Sequence, residues 1–369
     1  MIHQIEPWIT PHDIAAVNEY LLSGGWITEH KKTKELEQAI ASFVGARYAI
    51  MVPSGTVGLY LALRGVGITP GKITGVVVPD YTMIASVNSV VWAGAQPILI
   101  DIDRRNFCVD SDQIRWCTQK ISGIEALIYV DINGNLGHID RVRSYCRDHG
   151  LWLIEDACQA FGSCLRGRFA GTYGDVGVYS FTPHKLITTG QGGCIVTNDD
   201  HIFEKIVKLK DFGRLQPGLD IHDTIGYNFK FTDLQAALGL SQLSNIKDRM
   251  ALKRLIHKQY SKYLRNPKIL CPVDGDAIPW FMSILLDSQD QRDRLHEYLR
   301  NQNIATRKFY PPIHSQKPYR GISCISSLSV SSDISSRGLW LPSSLTLEEV
   351  DIREICVSIN TFFLEDKNA

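Results

Sequence analysis

The sequence has no excess of charge of either sign: Lys+Arg and Asp+Glu both number 39, so the formal net charge is zero. Nothing in it neutralises a run of nucleic-acid phosphates or an anionic membrane surface, and no polymer partner of either kind is expected. It has no run of the roughly 18 apolar residues that a membrane span needs. Its start, MIHQIEPWITPHD, carries Pro7, Pro11 and early acidic residues where a signal peptide would show a basic cluster and then an apolar stretch. C-x-x-C spacing is missing too. The nine cysteines (Cys108, Cys117, Cys146, Cys158, Cys164, Cys194, Cys271, Cys324, Cys356) are odd in number and scattered. They spell neither a disulfide framework nor a thiolate metal site, and reduced thiols in a cytoplasm fit best. The eleven histidines contain no H-E-x-x-H or similar spacing, so no metal is expected. Neither G-x-G-x-x-G after a strand nor G-x-x-x-x-G-K-[ST] occurs, which removes the fingerprints of dinucleotide and P-loop sites.

What is present reads as an ordinary globular chain of 369 residues, 44% hydrophobic and 21% charged, long enough for two domains. Two amphipathic helical patterns, HDIAAVNEYLLSGG and KTKELEQAIASFVG, form an N-terminal arm. Then come short apolar runs separated by helix-like stretches: AIMVP (49–53), GVVVP (75–79), QPILIDI (96–102), ALIYVDI (126–132), WLIED (152–156), DVGVYSF (175–181) and GCIVTND (193–199). Near-continuous runs of this kind mark strands buried on both faces, so an α/β domain with a mostly parallel sheet flanked by helices is expected over 1–245. The segment SQLSNIKDRMALKRLIHKQYSKYLR reads as one long charged helix opening a smaller C-terminal α+β domain over 246–369.

Ligands of such sheets sit beyond the carboxyl ends of the strands, so the residues just after each run carry the functional weight. Lys185 lies between two strands, ahead of a turn rich in glycine (Gly190, Gly192, Gly193) and behind Ser180, which Tyr179 and Phe181 flank. A lysine between strands is ordinarily solvated; an amine in an apolar pocket beside a Gly-rich turn is what a Schiff base requires. Asp156 ends the run LWLIED. It reads either as a helix N-cap or as the carboxylate that keeps a pyridinium nitrogen protonated, with Gln159 one helical turn on to bond a ring oxygen. Ser54, Gly55 and Thr56 stand between a strand and a helix, where free N–H groups and the helix dipole suit a single phosphate. A phosphate cup, a strand-end Asp and a Lys before a Gly-rich turn are together the parts of a pyridoxal-phosphate enzyme.

The sequence resembles the fold-type I sugar aminotransferases of the DegT/StrS group along nearly its whole length. The resemblance runs through GGWITEHKKTKELEQAIASFVGARYAI, the SGT turn, VPDYTMIAS, GAQPILIDID, IEDACQAFGS, GDVGVYSFTPHKLITTGQGG, GYNFKFTDLQAALGLSQL, YPPIHSQKPY and LPSSLTLEEVDI. It implies that Lys185 forms the Schiff base with pyridoxal 5'-phosphate and shuttles the proton. It also implies that Asp156 pairs with the pyridinium nitrogen, that Gln159 contacts the ring hydroxyl, and that Gly55, Thr56 and Ser180 bind the phosphate. Asn228 would cross a homodimer interface to the same phosphate. Met83 stands where relatives often carry an aromatic residue over the ring, and a thioether still covers a ring face. Gln191 in GQGG, and Asn133 and Gly134 in DINGNLGHID, depart from the usual forms. Relatives that act as 3-dehydratases carry His at the Schiff-base position, which here is Lys185, preceded by His184. His314, Tyr310 and Arg307 lie in the segment that approaches the sugar in relatives. The implied activity is transfer of an amino group from L-glutamate to the ketone, C4 by preference, of a nucleotide-linked keto-deoxy sugar in a cytoplasmic homodimer. Amination at C3 or of a cyclitol ketone, and a catalytically silent cofactor-binding regulator, are the alternatives.

Overall fold

Strands that are apolar on both faces must be covered on both, and the seven apolar runs meet that demand by pairing into one sheet between two layers of helices. The computed structural model describes all residues except 72–73, 217, 267–269, 272, 274, 325–326 and 367–369. The arm consists of α1 (Pro11–Leu22), capped by Thr10 and Asp13, and α2 (Lys31–Val44). The strands that follow are β1 (Tyr48–Val52), β2 (Gly75–Pro79), β3 (Gln96–Ile100), β4 (Ile124–Val130) and β5 (Trp152–Asp156). After a short hairpin, β6 (Cys164–Leu165) and β7 (Arg168–Phe169), come β8 (Val176–Ser180) and β9 (Gly193–Thr197). The sheet order is β1-β9-β8-β5-β4-β2-β3. Only β9 runs against its neighbours, so the mostly parallel expectation holds. The helices between strands are α3 (Gly55–Gly65), α4 (Ala85–Trp92), α5 (Ser111–Lys120), α6 (Ile139–Asp148) and, after β9, α7 (Asp200–Lys210).

The expected long charged helix is two. Asn245 leaves helical geometry (φ −103°, ψ 18°), ending α8 (Asp233–Ser244) and starting α9 (Ile246–Tyr263). Ser and Asn compete for backbone hydrogen bonds and stop a helix cheaply. Nor is α9 charged all round: its buried stripe is Ile246, Arg249, Lys253, Ile256 and Tyr260, and two of those five residues are cations. A second apolar cluster, with Ile256, Leu295, Leu299, Ile352 and Ile355, joins α9 to α10 (Gln289–Asn301) and α12 (Glu349–Asp366). Beside it lies an antiparallel sheet of β10 (Ser283–Leu285), β12 (Gly338–Trp340) and β11 (Arg307–Lys308), with α11 (Ser329–Arg337) leading into β12. The chain's first residues pack here as well, Ile2 bridging to Ile304. No disulfide forms among the described cysteines. Among the described residues, no helix is long and apolar enough to cross a membrane.

Candidate active site

The carboxyl ends of β1, β2, β4, β5 and β8 open on one edge of the sheet, and the polar residues that follow them converge there. After β1, Ser54 caps α3, its hydroxyl accepting the Val57 N–H at 3.2 Å. Among the described residues no hydrogen bond uses the N–H groups of Gly55 and Thr56, which leaves them directed outward from the helix start. Gly55 has to be glycine: a Cβ there would stand 2.7 Å from the Cys158 sulfur and 3.1 Å from Ser180 Cβ. The helix start is thereby pressed against Ser180 at the end of β8, as a phosphate cup requires.

Asp156 ends β5, but no helix follows it. Residues 157–163 make turns, so Asp156 caps nothing, and Gln159 is carried by a turn instead of the expected helix. The Asp156 carboxylate accepts the Ser86 hydroxyl at 2.7 Å and the Cys158 N–H at 3.2 Å. Ser86 is in turn 2.9 Å from the Thr82 hydroxyl, so the first turn of α4, braced by the loop after β2, fixes this carboxylate; Met83 in that loop is 43% exposed. Behind Asp156, Asp131 is wholly buried, and burial next to Glu155 and Asp156 holds its carboxyl well above the ordinary range. Glu155 accepts the N–H groups of Gly171, Tyr173 and Gly174, while the Asp131 oxygens accept nothing from the described residues. The proton of this pair therefore rests on Asp131.

Gln159 spends its carbonyl oxygen on the Asn133 N–H at 2.7 Å, which leaves its amide N–H groups to donate. Asn133 adopts the left-handed conformation (φ 55°), and all of its polar groups are used. Its carbonyl accepts the Trp280 N–H at 3.2 Å, its Oδ1 the Phe281 N–H at 2.8 Å, and its Nδ2 donates to Ser283 at 2.9 Å. Next to it, a Cβ on Gly134 would come within 2.0 Å of the Ile278 carbonyl oxygen. The departure at Asn133 and Gly134 noted in the sequence is thus a clamp between the sheet edge and the segment 278–283.

Lys185 lies between β8 and β9, its loop held by Gln242, whose Oε1 accepts the Thr188 N–H, and by Arg249, which donates to the Leu186 carbonyl. Its Nζ sits 3.9 Å from the Trp280 ring centroid. Burial lowers the amine to about 8; Cys158 and Asp156 oppose the shift and Arg307 adds to it. Burial, with Lys185 and Arg307 nearby, lowers His184 to about 4, so its imidazole is neutral at physiological pH. Gln159, Ser180, the half-buried Lys185, Trp280 and a buried lysine, Lys253, line one cavity.

Of the three residues read as approaching substrate, Arg307 lies near Lys185 and Tyr310 near Asp156 and Cys158. Arg307 lies 5.5 Å from the ring centroids of both Tyr310 and Trp340, and Tyr310 is raised by burial, with Asp156 and Cys158 contributing. His314 is instead bound to Asp80, its Nδ1 2.8 Å from one carboxylate oxygen and its N–H 2.9 Å from the other. Asn228 is exposed, at an isolated bridge to Asp211, and among the described residues its side chain bonds to nothing in its own chain's site. Sequence reasoning missed Ser86, Asp80, Asp131, Lys253 and Trp280. Outside the site, Asp103, Asp110 and His138 approach one another within 4.8 Å, but Asp103 is taken by Arg105 and Asp110 caps α5, so no metal is assigned there.

Residues 7–360 match the family model described as the DegT/DnrJ/EryC1/StrS aminotransferase family. The chain is 33% identical over 369 residues to a GDP-perosamine synthase of Vibrio cholerae, covering 98% of this chain and 99% of that one. It is also 33% identical over 361 residues to a GDP-perosamine synthase of Escherichia coli O157:H7, covering 97% of each. A crystal structure of a DegT DnrJ EryC1 StrS aminotransferase from Brucella abortus superposes with a TM-score of 0.89 at 27% identity over 95% of both chains.

Proposed function

The chain belongs to the DegT/DnrJ/EryC1/StrS aminotransferase family, and from that premise we propose that it moves an amino group from L-glutamate to the C4 ketone of a GDP-linked keto-deoxy sugar in the cytoplasm. Dependence on pyridoxal phosphate comes with the family. The observation that carries the proposal is the meeting, at one sheet edge, of the free Gly55 and Thr56 amides, the Asp156 carboxylate and the lowered amine of Lys185. The fit of the cofactor rests on the cup that a side chain at Gly55 would fill.

When bound, the cofactor supplies an electron sink for the carbanion that forms when the donor loses its α-proton. The residues of the chain do the rest. Gly55, Thr56 and Ser180 would hold the phosphate, Gln159 would donate to the ring hydroxyl, and Met83 would cover one ring face. Asp156, fixed by Ser86 and the Cys158 N–H, would pair with the pyridine nitrogen and keep it protonated. Lys185 Nζ would carry the proton that the donor gives up; an amine lowered to about 8 is matched to moving a proton near neutral pH. Arg307 and Tyr310 form the wall on the substrate side. The GDP assignment rests on the names of the two curated relatives.

The same reading makes the active unit a homodimer, with Asn228 completing the phosphate cup of the neighbouring subunit. Its exposure is in keeping with this, as is that of Leu219, Ile221 and Ile225 nearby, the last 85% exposed. Inactive Lys185→Ala and Asn228→Asp chains, mixed and re-dimerised, are then expected to regain activity; a fully active Asn228→Asp enzyme would contradict the shared site. The activity itself is tested by incubating enzyme, pyridoxal phosphate and glutamate with nucleotide-linked 4-keto and 3-keto sugars and following amine formation by mass. The GDP-linked 4-keto sugar is expected to be converted fastest. Preference for a 3-keto sugar, or no amination of any, would overturn the assignment.

A further inference from the structure

Trp280 is tied down on every side. Its indole Nε1 donates to the His184 carbonyl at 2.8 Å, and its carbonyl accepts the Lys253 amine at 3.0 Å. Its N–H donates to the Asn133 carbonyl. Phe281 stacks on its ring with centroids 3.8 Å apart, and Trp340 meets it edge-on at 6.0 Å. Lysine at 253 spends its amine on two carbonyls, those of Trp280 and Ser343, inside a closed interior. So much immobilising structure around one indole asks for a purpose, and the atom over its face is Lys185 Nζ.

We propose that the Trp280 ring is the seat on which the Lys185 amino group rests whenever it is not joined to the cofactor, and that it acts as a positioning residue by holding that amine within reach for the next proton transfer. The inference rests on the function proposed above, since it needs Lys185 to leave and rejoin the cofactor. An ammonium over an indole face is stabilised by the ring quadrupole. Burial disfavours the same charge, and the two effects oppose each other at this amine. The groups that face it are Cys158 and Asp156 from the turn after β5, His184 from its own loop, Arg307 from β11 and Tyr310 beyond it. Lys253, from α9, is bonded to the Trp280 carbonyl. None of them supplies a carboxylate hydrogen-bonded to Lys185 among the described residues, which leaves the indole as the group in contact.

The test uses full-length enzyme loaded with pyridoxamine 5'-phosphate, in which Lys185 is unattached without any turnover. The pH dependence of Lys185 acetylation by acetic anhydride, read by peptide mass, gives the titration of its amine. With Trp280→Leu the titration is expected to move down by about one pH unit, because the face that stabilised the ammonium is gone. Trp280→Phe, which keeps a weaker face, is expected to fall between. An unchanged titration, or one moved up towards 10.5 because water has entered, would overturn the proposal. Trp280 is buried, so replacing it by leucine endangers the fold. The second measurement therefore leaves the shape intact and replaces tryptophan throughout by fluorinated tryptophans. Progressive fluorination, which weakens the quadrupole, is expected to lower the Lys185 titration stepwise, and no trend with fluorination would overturn the proposal. If the protein does not bind pyridoxamine 5'-phosphate at all, the cofactor reading fails before this one is reached, and the two failures stay distinct.

Discussion

The two walls of the site are built in opposite ways. The wall proposed to hold the cofactor is local: Gly55, Thr56, Asp156, Gln159, Ser180 and Lys185 each stand within a few residues of a strand end of one sheet. The wall proposed to face the substrate is remote. Trp280, Arg307 and Tyr310 come from segments around a second sheet and are brought in by an aromatic cluster in which Trp280, Phe309 and Tyr310 all touch Trp340. A wall made by strand ends inherits its geometry from the sheet and needs little further bracing. A wall assembled from distant segments has to be bolted on, and the bolts are Asn133, Lys253 and the Asp80–His314 pair.

The largest effect should come from the local wall. Asp156→Asn is expected to keep the fold and much of the cofactor while losing about 10²–10³-fold in turnover, since a neutral amide does not hold the pyridine nitrogen protonated. Steady-state kinetics at saturating cofactor check this, and near-normal turnover would remove Asp156 from the chemistry. Gly55→Ala places a methyl 2.7 Å from the Cys158 sulfur and should weaken cofactor binding by about 10–100-fold, the equivalent of about 1–3 kcal/mol of overpacking. Equilibrium titration with pyridoxal phosphate measures it; unchanged affinity would mean that the cup lies elsewhere.

The remote wall should fail differently, in stability before chemistry. Asp80 is wholly buried and serves the His314 ring, the His314 N–H and the Ser331 hydroxyl, so Asp80→Ala is expected to cost about 1–3 kcal/mol in denaturant unfolding. His314→Leu should behave in the same direction, with the glutamate half-reaction changed only a few-fold. If His314→Leu instead abolishes amination while Asp80→Ala spares it, His314 acts on the substrate directly and the comparison breaks. A further effect concerns the lysine that holds the Trp280 carbonyl. Burial lowers Lys253 from its ordinary 10.5 to about 7, so between those values the unfolded chain binds a proton that the folded chain does not. Stability should accordingly rise with pH from about 7 towards 10.5, and Lys253→Met should flatten that rise in thermal melts recorded across the range.

This difference between the walls also governs how far the sequence could be read. Each of the seven apolar runs is a strand of the main sheet, and the rule that ligands sit beyond strand ends led to Lys185, Asp156 and the Ser54–Thr56 turn without knowledge of any contact. Gln159 was reached for a reason that does not hold, because a turn and not a helix carries it, and its orientation is set by Asn133. The break at Asn245 was hidden because helical patterning continues on both sides of it, with the charged residues following it from Lys247 onward. Two of those charges, Arg249 and Lys253, fold inward because carbonyl groups wait for them, which no periodicity reveals. Trp280 carried no signal at all: its role depends on a contact with Lys185 that only the assembled fold creates.

That assembled fold also poses the sharpest question about the account, since it puts two lowered lysines in one cavity, Lys185 near 8 and Lys253 near 7. By amine basicity alone Lys253 has the larger free-base fraction at neutral pH; by geometry it is committed to the carbonyls of Trp280 and Ser343, whereas Lys185 rests on a ring face and can move. Borohydride reduction of the pyridoxal-phosphate-loaded enzyme followed by peptide mapping decides between them. Label on Lys185 alone is the predicted result; label on Lys253, or on neither, would contradict the assignment on which the site is built.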